Sequence, residues 1–177
     1  MSSSAERLLP LFLKLAGRRV VVVGDGPVAA AKAQALAETG ADILVAAPET
    51  FAERDLDGAW LVVAAATPEV NARVAAAAEA QRLFLLAVDD PAAASAYGAG
   101  TLRKGGVTVA VSTDGRAPAL AGLLREALEA VLPADLEAWT AEAERQRAAW
   151  RASRVPMSER RPLLLDALNR LYRKAAS

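Results

Sequence analysis

Over the first ninety residues, short apolar runs alternate with alanine-rich stretches of helical character. Val20–Val23 is a run of valines between Arg18-Arg19 and Gly24, the pattern of a parallel strand buried on both faces. Gly24-Asp25-Gly26 turns the chain. Pro27–Thr39 then reads as a helix, with proline in its first turn and Gly40 as its stop. Ile43–Ala46, ended by Pro48, is a second strand, and Leu61–Ala65 a third. Thr67 stands as N-cap, with Pro68 at the first position of a helix reaching about Ala80. Leu83–Val88 is a fourth strand, ending at Asp89-Asp90-Pro91. Val107–Val111 is a fifth, ending at Ser112-Thr113-Asp114-Gly115. Strands alternating with helices predict an α/β fold with a doubly wound parallel sheet. Only the twelve residues 49–60 separate Pro48 from Leu61, too few for a helix, a strand and their loops. The edge unit of the sheet is therefore expected to be trimmed to a turn.

From Ala117 the pattern changes to helical periodicity alone. Pro118–Leu132 places Leu120, Leu123, Leu124 and Leu128 on one stripe. Residues 134–154 carry Leu136, Trp139, Ala143 and Trp150 on another. Ser158 is placed to cap a last helix bearing Leu164, Leu165, Leu168, Leu171 and Tyr172. The stripes of these last two helices ask for a partner surface, and two copies about a two-fold axis would bury both at once. The expected division is a dinucleotide-binding part, 1–112, and a helical dimerisation and substrate region, 113–177. No internal repeat or low-complexity linker interrupts the chain.

Composition narrows the chemistry. The apolar fraction of 54% is ample for a core, and 24% charged residues is ordinary for a soluble protein. The absence of cysteine excludes disulfides, thiol catalysis and thiolate metal sites. The absence of histidine removes the usual base near neutral pH, so proton transfer falls to a carboxylate, lysine, tyrosine or water. Net charge is zero but unevenly spread: nine Arg/Lys against four Asp/Glu from Thr140 onward leave the tail at +5 and the rest at −5. That tail can attract an anion or form a solvated helix face, and its helical spacing suits the latter. Leu8–Leu15 is too short to span a membrane, and no clear signal-cleavage site follows it. A soluble cytoplasmic protein is expected, with no membrane or nucleic-acid partner.

The strongest local motif is Gly24-x-Gly26-x-x-Ala29, set between a strand and a helix. The first glycine permits the turn, and the second lets a pyrophosphate approach the backbone. The small third residue lets helix pack on strand, and the helix N-terminus supplies N–H donors. This makes the fold Rossmann-like. The acidic residue expected at the end of the second strand is displaced, since Ala46-Ala47-Pro48 fills that stretch. Glu49 follows and can reach a ribose hydroxyl or lie solvated in a loop. No arginine stands there for a 2′-phosphate, which favours NAD over NADP. Asp89 and Asp90 end a strand at the ligand-binding edge of such sheets. One can accept a proton while the other caps a turn, or both can only shape the Asp-Pro turn. Ser112 and Thr113 suit capping or a ligand. With Asp90 and Arg116 they are the candidate substrate contacts.

Four ordered segments carry a resemblance. LPLFLKLAGRRVVVVGDGPVAAAK (Leu9–Lys32), DLDGAWLVVAAAT (Asp55–Thr67), AVDDP (Ala87–Pro91) and VTVAVSTDGRAPALAGLLREALE (Val107–Glu129) are similar to successive segments of precorrin-2 dehydrogenases and of the N-terminal part of siroheme synthases. The resemblance implies NAD-linked oxidation of precorrin-2, a reduced tetrapyrrole, to sirohydrochlorin. In some members ferrous iron insertion follows. It places the essential aspartate at Asp89, which would also be the residue facing iron if the chain were a chelatase; no other metal residue is implied. It places cofactor contacts at Pro27, Val28, Pro48 and Glu49, beside Gly24, Gly26 and Ala29, and a serine that is phosphorylated in some members at Thr113. It also implies a homodimer built on the helical remainder. The chain departs from the pattern in its short 49–54 segment. Asp25 and Asp114 replace glycines, Leu86 an asparagine, and Ala96-Tyr97-Gly98-Ala99 a Phe- and Pro-containing stretch. These departures admit a rival reading, a non-catalytic NAD-binding module. A generic small-molecule reductase explains the glycine turn but not the other three segments.

Overall fold

The computed structural model describes residues Leu8–Ala175, with side chains described as far as Leu171. Tyr172 lies in the last helix, but its place on the apolar stripe falls outside the described side chains. The chain divides into two compact units, one of residues 1–98 with 112–117 and one of 99–111 with 118–177. The first unit thus returns for a short segment beyond the 112/113 boundary read from the sequence. Among the described residues no helix is long and apolar enough to cross a membrane.

The first unit is a four-stranded, wholly parallel sheet in the order β2-β1-β3-β4. Its strands are β1 (Arg19–Val23), β2 (Asp42–Ala46), β3 (Leu61–Ala64) and β4 (Phe84–Ala87). β1 and β3 are central, and Val20–Val23 and Val62–Ala64 are fully buried. The valine run is therefore apolar on both faces because helices cover both faces. Helix α1 (Pro27–Ala37) packs Ala29 and Ala33 against Val22 and Val63 on one face. Helix α2 (Pro68–Ala80) packs Val74, Ala77 and Ala78 with Val21, Val62, Ala64 and Leu85 on the other. α2 starts where the sequence placed it, and the Thr67 hydroxyl accepts from the Val70 N–H.

The trimmed edge is a single 3₁₀ turn, Glu53–Leu56. It is more than a connector, because Phe51 and Leu56 are buried in the α2-side core. The Asp55 carboxylate accepts from the Ala52 N–H at 2.9 Å, and the side chains of Arg73 on α2 and Gln81 just after it donate to the carbonyls of Phe51 and Glu53. The missing strand and helix are replaced by two large side chains and their anchors.

The second unit corrects one expectation. Val107–Val111 (β6) is not a fifth strand of the parallel sheet but pairs antiparallel with Gly100–Lys104 (β5) in a hairpin. Two causes act together. Gly105 and Gly106, at φ +52° and +77°, form the two-residue turn that matches hairpin twist. The free edge of β4 is already taken: Ser95 and Ala96 donate backbone N–H groups to the Leu85 carbonyl, and the Ser95 hydroxyl accepts from the Leu85 N–H. Helix α3 (Pro118–Val131) lies on the hairpin, with the Ala121 backbone against Gly100. The hairpin turn meets the start of helix α4 (Leu136–Ala152), where a side chain on Gly105 would lie 2.5 Å from the Glu137 nitrogen. Helix α5 (Met157–Ala175) pairs with α4. It begins at Met157, so Ser158 lies within its first turn instead of capping it.

The apolar stripes also sort differently from expectation. Leu136 and Trp150 of α4 are buried within their own chain. On α3, Leu120, Leu123, Leu124, Leu128 and Val131 are exposed together, and Leu163 and Leu165 of α5 are exposed as well. Among the described residues of the helical part, the exposed large apolar side chains lie mainly on α3 and α5.

Candidate functional site

The carboxyl ends of the four parallel strands form one edge of the first unit, and the cofactor and aspartate candidates follow directly from those ends. The ladder runs one residue past each strand. Gly24 N–H donates to the Ala46 carbonyl at 3.0 Å, Ala65 N–H to Val23 at 2.9 Å and Val88 N–H to Ala64 at 2.9 Å. Across the edge stand, in order, Ala47–Glu49, Gly24–Gly26, Ala65–Thr67 and Asp89.

The two glycines of the turn do different things. Gly24 is buried at φ +151°, and a Cβ there would lie 2.4 Å from the Ala65 carbonyl oxygen and 2.8 Å from the Ala29 methyl. Its role is close packing of turn, helix and neighbouring strand. Gly26 is the N-cap of α1 with ordinary extended geometry, and a Cβ there would meet nothing within 4 Å. Space is left open above it. Among the described residues none caps the helix end: α1 has no side-chain cap bond and no acidic residue in its first turn. Pro27 has no N–H to offer, and the N–H groups of Val28 and Ala29 have no intrahelical acceptor. The arrangement fits an anionic group such as a pyrophosphate, held by N–H donors and the positive end of the helix dipole. Pro48 is buried and Glu49 exposed, with no hydrogen bond or ion pair to Glu49 among the described residues.

The aspartate pair is divided by its backbone. Asp89 adopts a left-handed conformation, φ +56°, which turns the chain sharply off the end of β4. It is exposed, and no described residue bonds its carboxylate. Asp90 is half-buried, and its Oδ1 accepts from the Ala93 N–H at 3.2 Å, closing the turn around Pro91. One carboxylate shapes the loop and the other is left to solvent. Asp and Asn tolerate the left-handed region better than other non-glycine residues, so this backbone position itself suits an aspartate.

Segment 112–117 belongs to the same unit. The Ser112 hydroxyl accepts from the Asp114 N–H and the Thr113 hydroxyl from the Ala117 N–H, both at 3.1 Å. Each hydroxyl keeps its own proton to donate. Arg116 pairs with Asp114 at 3.2 Å while remaining 70% exposed, a pairing too solvated to fix it strongly. Gly115 rests on the Tyr97 ring, which brings this segment to the loop after Asp89. Among the described residues no three His, Cys, Asp or Glu side chains gather as a metal site.

Sequence reading passed over Asn71. It is buried at 4% exposure on the first turns of α2, and its Oδ1 accepts from the Ala66 N–H at 3.0 Å. Asn71 thereby holds the β3–α2 loop whose Ala65 carbonyl backs Gly24. A lone amide on the inner face of an alanine-rich helix was the available signal.

Residues 104–130 match the central region of sirohaem biosynthesis proteins. Siroheme synthase 3 of Aeromonas hydrophila is 40% identical over 173 residues, covering 86% of this chain and 37% of that protein. The siroheme synthase of Ectopseudomonas mendocina is 40% identical over 146 residues, covering 72% and 32%. The chain spans about a third of the length of these relatives. A solved structure described as SirC, precorrin-2 dehydrogenase, shares the fold, with a TM-score of 0.64 at 21% identity over 90% of this chain and 88% of that one. Residues 11–99, about half of the sequence and the whole of the parallel sheet, match the putative NAD(P)-binding family, and the chain belongs to that family.

Proposed function

We propose that this chain oxidises precorrin-2 to sirohydrochlorin with NAD, the dehydrogenase step of siroheme biosynthesis. One observation carries the reading: the open Gly24–Gly26 turn and the unbonded Asp89 carboxylate share one sheet edge, two strands apart. At about 4.8 Å per strand the separation is about 10 Å, which an extended dinucleotide bridges. The names of the relatives supply the substrate class, and the description of the solved neighbour supplies the dehydrogenase step.

In this reading the N–H groups of Val28 and Ala29 hold the pyrophosphate above Gly26, and Pro48 and Glu49 face the adenosine half. Bound there, NAD supplies a hydride acceptor. Hydride loss from a reduced tetrapyrrole must be matched by loss of a proton, and an Asp89 carboxylate oxygen takes it. With no histidine in the chain, proton transfer falls to a carboxylate, lysine, tyrosine or water, and Asp89 is an exposed carboxylate at this sheet edge. The hydroxyl protons of Ser112 and Thr113 and the Arg116 guanidinium meet substrate carboxylates, while Asp90 shapes the loop that presents Asp89.

The same reading makes the protein a cytoplasmic homodimer. The exposed stripe Leu120/Leu124/Val131 on α3 supports the dimer, being a contiguous apolar face of the kind that marks an interface. The test of function is anaerobic incubation with precorrin-2 and NAD, followed by absorbance for sirohydrochlorin and NADH together. Stoichiometric appearance of both is expected. NAD binding without turnover would leave the chain a binding module and remove the proposed role of Asp89.

A further inference from the structure

Tyr97 lies in the stretch 96–99 that departs from the family pattern, and the structure gives its side chain two contacts. The phenolic O–H donates to the Pro91 carbonyl at 3.0 Å. Its ring supports Gly115, where an added Cβ would lie 3.0 Å from Cε1, 3.2 Å from Cδ1 and 3.4 Å from the Pro91 Cβ. The Gly115 backbone is thus seated in the angle between the tyrosine ring and Pro91. At φ +73° and at that distance only glycine fits without displacing the ring.

Each of the two segments that meet here is closed by its own bonds. The Asp89 loop is pinned to β4 through Ser95, Ala96 and Leu85, and internally through Asp90 and Ala93. The 112–117 segment is closed by the Arg116 N–H on the Thr113 carbonyl and the Ala117 N–H on the Thr113 hydroxyl. A tyrosine orders few rotatable bonds and offers a flat face with a polar tip, which suits it to join two preformed turns.

We infer that Tyr97 is a positioning residue that clamps the turn presenting Asp89 to the segment carrying Thr113 and Arg116, so that base and substrate-contact groups keep one spacing. The consequence for catalysis rests on the proposed dehydrogenase reading; the clamp itself does not. Phenylalanine would keep the ring under Gly115 and lose the Pro91 bond, whereas alanine would lose both.

The experiment uses the full chain with Tyr97→Phe, Tyr97→Ala and Gly115→Ala, read by amide hydrogen exchange, NAD titration and steady-state oxidation. In Tyr97→Ala, exchange at Ala93, Ser95 and Ala96 and at Arg116 and Ala117 should quicken together by about tenfold or more, with the β1 and β3 amides unmoved. Gly115→Ala should loosen the same two groups from the other side, and Tyr97→Phe should fall between wild type and Tyr97→Ala. NAD affinity should stay within about twofold while kcat falls by about tenfold in Tyr97→Ala, because misplacement acts on the reacting geometry and not on the pyrophosphate turn. Kinetic effects of Tyr97→Ala and Gly115→Ala should be non-additive in the double variant. Loosening confined to 91–97 would overturn the clamp, and wild-type kcat with both segments loosened would overturn its positioning role in the reaction. If the wild-type chain fails to oxidise precorrin-2, the dehydrogenase reading falls, and the exchange result alone decides the clamp.

Discussion

Replacing each glycine of the β1–α1 turn by alanine should separate packing from ligand binding. Gly24→Ala puts a methyl 2.4 Å from the Ala65 carbonyl oxygen and 2.8 Å from the Ala29 methyl, at φ +151°. Both obstacles belong to the sheet and helix core and have no room to yield. Overpacking and backbone strain each cost about 1–3 kcal/mol, so the variant should lose about 2–6 kcal/mol. For a chain of this size a loss of 1 kcal/mol lowers Tm by about 2–4 °C, so a fall of at least about 4 °C is expected, or failure to fold. Gly26→Ala meets nothing within 4 Å and keeps an allowed backbone, so it forfeits only part of an N-cap preference, about 0.5–1 kcal/mol. Its methyl stands in the space assigned to the pyrophosphate, so NAD affinity should fall at least about tenfold, or about 1.4 kcal/mol. Gly26→Val should abolish NAD binding. Thermal unfolding by circular dichroism and calorimetric titration with NAD read the two quantities separately. A folded Gly26→Ala protein with wild-type NAD affinity would show the open space to be only a turn. A Gly24→Ala protein with unchanged Tm would refute the close-packing argument.

Asp89→Asn keeps a side chain that tolerates the left-handed backbone but accepts no proton, so oxidation should fall by about 10²–10⁴-fold with Tm and NAD affinity unchanged. Full activity in that variant would move the base elsewhere. Asn71→Ala strands the Ala66 N–H and should cost about 1–3 kcal/mol, seen as a lower Tm in thermal unfolding. An unchanged Tm would show that the loop finds another acceptor. Leu124→Asp, on a half-exposed position of α3, should leave the monomer fold intact and abolish the dimer. Each copy would lose about 1.5–3 kcal/mol of apolar burial and gain a buried charge at the interface. Light scattering at low micromolar concentration distinguishes this from a dimer that survives and so lies elsewhere.

Much of the first unit was legible because its signals are local. A valine run between charges and a glycine has one stable home, a strand covered on both sides, and Val20–Val23 is found there. Thr67-Pro68 starts a helix by capping and by a fixed φ, both properties of two or three adjacent residues. The Gly24-x-Gly26 spacing marked the turn, although only packing shows that Gly24 answers to Ala65 and Ala29 while Gly26 answers to open space. The twelve residues after Pro48 excluded a full edge unit by length alone, but not that Phe51 and Leu56 would enter the core.

Tertiary structure decided between alternatives of equal local merit at several positions. Val107–Val111 suits any sheet, and its partner depended on Gly105-Gly106 and on Ser95 having already closed the edge of β4. Asp89 and Asp90 are chemically identical, and one backbone torsion with one bond from Ala93 placed them in different surroundings. The leucines of α3 and the apolar residues of α4 show the same periodicity. Leu136 and Trp150 are buried while Leu120, Leu123 and Leu124 stay exposed. Periodicity states that a face is apolar, but what covers it is a property of residues remote in sequence. That is where reading along the chain ends and packing begins.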